Sequence, residues 1–252
     1  AEALKKGRTF LPVFLSREER PQPTDEKPIL EPFILSMHNR LSQAHTPYKS
    51  VVLPVDVLAR SAYGLGNVEI PPDADGIYRR MPLVFLYRND WIPALGLSAF
   101  AYGGEKIPAT LEKNRLSVAG VSIPLLSDGN FLLHYYGDGR EFPRLSAFNV
   151  IQSYLALQEG AEPLYSPELF RDKIVFLGYT AAGLYDLKPT PTSSIYPGAA
   201  IHATLVENLL RRDFRTRIPT LPLLALTAAT AAAAALTVML VGSFWKLSLL
   251  VA

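Results

Sequence analysis

The chain has 252 residues, 49% of them hydrophobic, with a net charge of +2 and no cysteine. So small a charge, with no long Lys/Arg block, leaves no electrostatic footprint for nucleic acid, and the lack of Cys excludes a disulfide framework and any thiolate nucleophile or metal site. The apolar excess sits at one end: all acidic residues and all but one Lys/Arg lie within 1–217, whereas 218–245 carries no charge. About 215 residues then remain for a folded region, enough for one large domain or two small ones.

The opening Ala1-Glu2-Ala3-Leu4-Lys5-Lys6 is polar and helical in character and lacks the apolar core of a secretory leader. Running through Gly7 into the strand-like stretch 8–15, it reads as the middle of a fold whose earlier elements precede the given sequence. Residues 16–32 are rich in Arg, Glu and Pro, and Pro21, Pro23, Pro28 and Pro32 predict an exposed loop. Helix returns near Phe33, with a short amphipathic turn or two over 36–45. Residues 50–58 are apolar and ambiguous between a strand and a helix start. A strand over 64–68, entered through glycines, is expected to pair as a hairpin with a long strand over 77–87, across the turn Asp73-Ala74-Asp75-Gly76.

Arg88-Asn89-Asp90 turns the chain into an expected helix over 91–102, ended by Gly103-Gly104. Residues 116–125 carry a central turn and, with 130–136, read as a β-meander. A helix is expected over 146–159 with Ser146 at its N-cap, and a short helical turn over 166–172. Lys173-Ile174-Val175-Phe176-Leu177-Gly178 shows no polar alternation, which predicts a central strand buried on both faces. Another helix follows over 198–211.

The 28 uncharged residues of 218–245 are long enough, at about 1.5 Å per residue, to cross a hydrocarbon core of about 30 Å. Pro219 and Pro222 fall in the first turn, where missing backbone donors cost little, and Trp245-Lys246 suits an interfacial belt. The pattern predicts a transmembrane helix over 218–243, a tight turn around 242–246 and the start of a second membrane helix at 247–252. Small residues at four-residue spacing, such as Ala228 and Ala232, permit the close helix approach of a homodimer; Ala as plain apolar filler explains the same pattern.

Four stretches together resemble the type-two CHASE domain, an extracellular sensory domain of bacterial cyclases, histidine kinases and related receptors. They are Pro72-Asp73-Ala74-Asp75-Gly76-Ile77-Tyr78-Arg79-Arg80-Met81-Pro82-Leu83, Asp128-Gly129-Asn130-Phe131-Leu132-Leu133-His134-Tyr135-Tyr136-Gly137, the run from Lys173 through Gly178-Tyr179-Thr180-Ala181-Ala182-Gly183-Leu184-Tyr185-Asp186 to Pro191, and Pro197-Gly198-Ala199-Ala200-Ile201-His202-Ala203. Their order and spacing match the family, and the similarity covers residues 8–212. The resemblance implies an extracytoplasmic, periplasmic sensor domain over 1–212 at the inner membrane. It also implies a cytoplasmic output domain outside this sequence, such as an adenylate cyclase or a histidine kinase. The expected fold class is α/β, a mixed sheet with flanking helices and a β-meander and hairpin region, followed by a transmembrane α-helix.

Candidate chemistry is sparse. Asp73-Ala74-Asp75-Gly76 begins like an oxygen-ligand calcium loop, but no third ligand follows, Gly comes early and no Glu closes the loop, so a hairpin turn is expected. The loop from Gly178 follows the most apolar strand, where α/β sheets present ligands at their carboxyl edge. It lacks the Gly-Lys-Ser/Thr ending of a Walker loop. Gly178, Thr180, Gly183, Asp186, Lys188 and His202 are the candidates for binding a small-molecule ligand or for coupling it to the membrane. In the family Asp186 belongs to the shared motif. His38, His45, His134 and His202 show no zinc spacing, and without a Gly-x-Ser-x-Gly elbow no catalytic residue, metal or cofactor is expected. Arg211, Arg212, Arg215 and Arg217 flank the span on the domain side, where the positive-inside tendency alone points to the cytoplasm; the family resemblance points outward and outweighs it. A membrane-tethered envelope enzyme and a structural subunit of a membrane complex are the rival readings to a sensor.

Overall fold

The first strand, β1 (Phe10–Ser16), changes partner halfway along its length. The computed structural model describes residues 2, 4, 7–20, 26–37, 47–101, 107–112, 114–179, 186–218 and 220–250. After β1 come helix α1 (Lys27–Leu30), a 3₁₀ turn (Glu31–Phe33), β2 (Ser36–Met37), β3 (Ser50–Val52), α2 (Asp56–Ala59) and β4 (Gly64–Asn67). Then follow β5 (Arg80–Pro82), β6 (Val84–Tyr87), β7 (Asp90–Pro93), α3 (Leu95–Ala101), β8 (Pro108–Glu112), β9 (Arg115–Val118), β10 (Val121–Pro124) and β11 (Asn130–Leu132). The chain continues with α4 (Ala147–Gln158), a 3₁₀ turn (Pro167–Phe170), β12 (Leu187–Thr190), β13 (Ser193–Pro197), α5 (Gly198–Arg211) and α6 (Thr220–Leu250). Two units result, Ala1–Arg215 and Thr216–Ala252.

In the first unit β1 pairs in parallel with β4 over residues 10–13 and antiparallel with β3 over 14–16. Pro12 lies in the half that has only β4 beside it, so its missing donor removes no ladder bond on the second edge. Val13 and Leu15 point into the core and Phe14 away from it, the period-2 alternation of a half-buried strand. A four-stranded sheet of order β10-β9-β8-β2 carries the meander. Its β9–β10 turn uses positive φ at Ala119 and Gly120, as a two-residue hairpin with the native twist requires. Pairs β6–β7, β5–β11 and β12–β13 complete the mixed α/β fold. One core gathers residues from all of these, among them Leu65, Leu97, Phe131, Tyr196, Ile201 and Leu205.

Several expectations give way to longer-range pairing. The hairpin between 64–68 and 77–87 does not form: β4 pairs with β1, and the long strand divides at Pro82-Leu83, β5 joining β11 and β6 joining β7. Pro82 has no N–H to carry a ladder forward, and Leu83 O instead accepts from Ala94 N at 2.8 Å. The turn at Asp73 to Gly76 is present, with Gly76 at φ 81 and its N–H on Asp73 O at 2.8 Å. The helix expected from 91 begins only at Leu95, because Trp91 and Ile92 are good strand formers that pair with Leu86 and Phe85 across the 88–89 turn.

Residues 50–58 resolve into both alternatives, β3 and α2, separated by Pro54. The expected exposed loop of 16–32 contains α1, whose Ile29 and Leu30 are buried, and Glu26 is only 5% exposed, accepting from Tyr87 OH at 2.8 Å and pairing with Arg88. Of the amphipathic turn expected over 36–45, Ser36–Met37 is a strand parallel to β8, and 38–46 lie outside the described residues. Helix α4 falls where expected, but Ser146 makes no side-chain cap bond, whereas Ser166 does cap the later 3₁₀ turn.

The largest correction concerns 173–178. This stretch is no strand, and Val175 and Leu177 are 62% and 86% exposed. An unbroken apolar run identifies composition suited to a central strand, and among the described residues no other strand lies paired beside it. Phe148, Ile151 and Tyr154 of α4 are likewise exposed.

The second unit is α6. Its stretch Thr220–Gly242 is 23 residues, long and apolar enough to cross a membrane, and none of its most apolar window is buried. The helix continues through 242–246 to Leu250, so the tight turn expected there is absent.

Candidate functional site

Three of the six sequence candidates meet at α5, a helix whose apolar positions Ile201, Leu205 and Leu209 face the core. At its start, Gly198 N donates to Asp186 O at 2.8 Å. The Asp186 carboxylate presses on Gly198: a Cβ there would lie 2.2 Å from Oδ1. Glycine is therefore required at this point by close approach, and the carboxylate stands at the positive end of the helix dipole. Gly178 touches the same turn, since a Cβ on it would lie 2.4 Å from Ala199 Cβ. Lys188 stands apart on β12, with Nζ 5.7 Å from the centre of the Tyr78 ring. His202 lies one turn after Gly198, buried, with Nε2 3.4 Å from Val68 O. Thr180 and Gly183 lie outside the described residues. Gly178, Asp186 and His202 are thus brought to the first two turns of one helix, and Lys188 is engaged elsewhere.

At the other end of α5 is a cluster centred on Asn208, which belongs to no recognisable motif. Asn208, with no exposed surface, accepts from His134 N at 2.9 Å, donates to His134 O at 3.0 Å and donates to Tyr136 OH at 3.1 Å. The helix then stops: Arg212 takes a left-handed conformation at φ 55, and Asp213 N returns to Asn208 O at 2.9 Å, the pattern of a Schellman stop. Asp213 Oδ2 sits 2.6 Å from His134 Nδ1 and accepts from Tyr136 OH at 3.3 Å, while Arg215 Nε lies 3.2 Å from its other oxygen. The hydrogen bond from His134 holds the Asp213 carboxyl below the usual carboxylate range despite partial desolvation. Phe214 closes the corner edge-on against Phe131, with centroids 6.0 Å apart.

A sequence signal for this clasp existed. Asn208 falls on the buried stripe Ile201, Leu205, Asn208, Leu209, where a polar side chain must find partners.

Both carboxylates of the Asp73-Asp75 turn are engaged by arginines. Arg79 bonds both carboxylates, at 3.0 and 2.8 Å, and Arg80 joins Asp73 at 2.6 Å and also pairs with Asp128. Desolvation pushes the Asp73 carboxyl up, but the hydrogen bonds and charges of Arg80 and Arg79 together outweigh it and keep the carboxyl below the usual range. This network ties the turn to β5 and the approach to β11.

No curated protein and no solved structure matches the chain. The family model for the CHASE2 domain, an extracellular sensory domain of signalling receptors, matches residues 7–244, which takes in both ends of α5 and the apolar stretch of α6. That match extends over most of the sequence, and the chain therefore belongs to the CHASE2 domain family.

Proposed function

We propose that the chain is the input half of a bacterial membrane receptor: the 1–212 domain lies in the periplasm, α6 crosses the inner membrane, and a cytoplasmic cyclase or histidine kinase responds. The observation that carries this reading is the construction of α5. Its first turn is held by the Asp186 and Gly178 segment, and its last turn is locked by Asn208 and Asp213 only a few residues before the apolar helix. The left-handed Arg212 ends α5 before the apolar helix begins. A bias set at either end is transmitted through a fixed corner. A small ligand acting here can shift output only by its difference in affinity for two states of that corner, and homodimers joined through α6 are the form in which such shifts reach paired output domains.

Topology is the direct test. In the full-length protein, alkaline phosphatase fused after Leu210 is expected to be active. An inactive phosphatase together with a fluorescent green-protein fusion at the same site would place the domain in the cytoplasm and end the reading. Asp186→Asn is expected to remove the charge from the start of α5 with little change in shape. Basal output of the full-length receptor should shift at least about fivefold, the lower end of ordinary allosteric coupling, at unchanged protein abundance. An unaltered output from a normally abundant variant would reject this contact as a coupling point.

A further inference from the structure

Among the described residues, His202 carries the one buried side-chain polar atom left without a hydrogen bond, Nδ1. The ring is 4% exposed, and Nε2 faces Val68 O just beyond β4. A carbonyl can only accept, so the proton of the neutral ring belongs on Nε2 and Nδ1 is bare. Helices α3 and α5 are tightly packed beside it: a Cβ on Gly96 would lie 3.1 Å from His202 O and 3.0 Å from Leu205 Cδ2. The ring is thus enclosed where these helices meet, at 4% exposure.

A second proton would have to go to Nδ1, creating a buried cation with two donors and one acceptor. Among the described residues, no neighbouring element offers it an uncommitted anion. Helix α3 reads Leu-Gly-Leu-Ser-Ala-Phe-Ala and carries no charge. Beyond β4, Glu69 acts on Tyr48. On α5 itself Glu207 is paired with Arg211, and Asp186 is engaged over Gly198 one turn earlier. Desolvation therefore dominates, with the Val68 contact a lesser opposing influence, and the ring's pKa is lowered to about 4.

We propose that His202 is a proton-operated latch: while its ring is neutral α5 stays docked on α3 and β4, and protonation at Nδ1 drives the ring out and loosens α5. A consequence for output rests on the sensory reading above; the latch itself does not. Because the folded state binds this proton less readily than the unfolded chain, the docking is fully stable above about pH 6.5 and weakens as pH falls from there toward 4. For that pair of values the opening equilibrium rises about twentyfold between pH 7 and pH 5.

Hydrogen exchange of the full chain in lipid nanodiscs at pH 7, 6 and 5, corrected for intrinsic rates, tests this. Peptides from 198–211 are expected to lose about twentyfold protection over that range. In His202→Gln, which keeps a donor for Val68 O and cannot be charged, the loss should be absent; His202→Leu serves if the Gln variant does not fold. Nitrogen NMR of ¹⁵N-histidine-labelled wild type should show His202 neutral and Nε2-protonated at pH 5.5, and this measurement decides alone if neither variant folds. Equal loss of protection in wild type and variant, or a charged His202 in the folded chain at pH 5.5, overturns the latch. Neither result bears on topology, so the phosphatase fusion and this experiment fail separately.

Discussion

Gly66→Ala is expected to destabilise the domain by about 3 kcal/mol, the upper end of what overpacking a core produces. The added Cβ would lie 2.5 Å from Leu95 Cα and 2.7 Å from Leu95 N. Backbone atoms at the start of α3 cannot swing away as a side-chain tip can, so β4 and α3 must separate. Trp91, buried on the neighbouring β7 and close in sequence to Leu95, reports the change in denaturant unfolding followed by fluorescence. Gly7→Ala meets only Thr9 Oγ1 at 3.7 Å and should stay within about 0.5 kcal/mol of wild type. A Gly66→Ala domain as stable as the Gly7→Ala control would show that β4 and α3 are not in backbone contact.

The consequence reaches the exit corner through two glycine contacts in series. Gly66 lets β4 approach α3, and Gly96 lets α3 approach α5 at His202 and Leu205. Asn67 fixes the end of the same strand, accepting from Leu15 N at 3.2 Å and donating to Glu69 O at 3.1 Å. Packed layers of this kind have discrete arrangements and do not deform smoothly.

What could be read from the sequence was local. The bounds 198–211 of α5 follow from Pro197 and Gly198 before an amphipathic repeat, the 119–120 turn from its Gly between alternating strands, and α6 from uncharged length. What failed depends on partners remote in the chain. A hairpin is the default for two strands joined by a short turn, but β4 finds β1 and β5 finds β11 because their apolar faces share one core. The 173–178 run illustrates the opposite failure, since composition expresses a tendency to pair and does not supply the partner. Of the candidate residues, Gly178, Asp186 and His202 are brought to the first two turns of α5, Asp186 over Gly198 and His202 one turn further on. The Asn208 clasp was invisible to motif reading because its partners, His134 and Tyr136, come from the far side of α4 and β12 in sequence.

Asn208→Ala is expected to cost at least about 3 kcal/mol, more than any single hydrogen bond on the surface contributes. The change strands His134 N–H and His134 C=O and removes the donor to Tyr136 OH, in a part-buried cluster whose centre, Asn208, has no exposed surface. Each buried polar group left unsatisfied costs about 1–3 kcal/mol, and a small cavity adds to the sum. Tyr136→Phe isolates part of the effect: it removes the contacts to Asn208 and Asp213 but leaves His134 satisfied, and should cost only about 1 kcal/mol. Denaturant unfolding of the three proteins gives the stability order, and hydrogen exchange of residues 212–215 shows whether the corner opens. Asn208→Ala should raise exchange there well beyond Tyr136→Phe, because the Asp213 carboxylate is anchored on His134, whose backbone N–H and C=O are held by the Asn208 side chain. If Asn208→Ala instead matches Tyr136→Phe in both measurements, the two His134 bonds contribute nothing, and the exit corner is held by Asp213 and Phe214 alone.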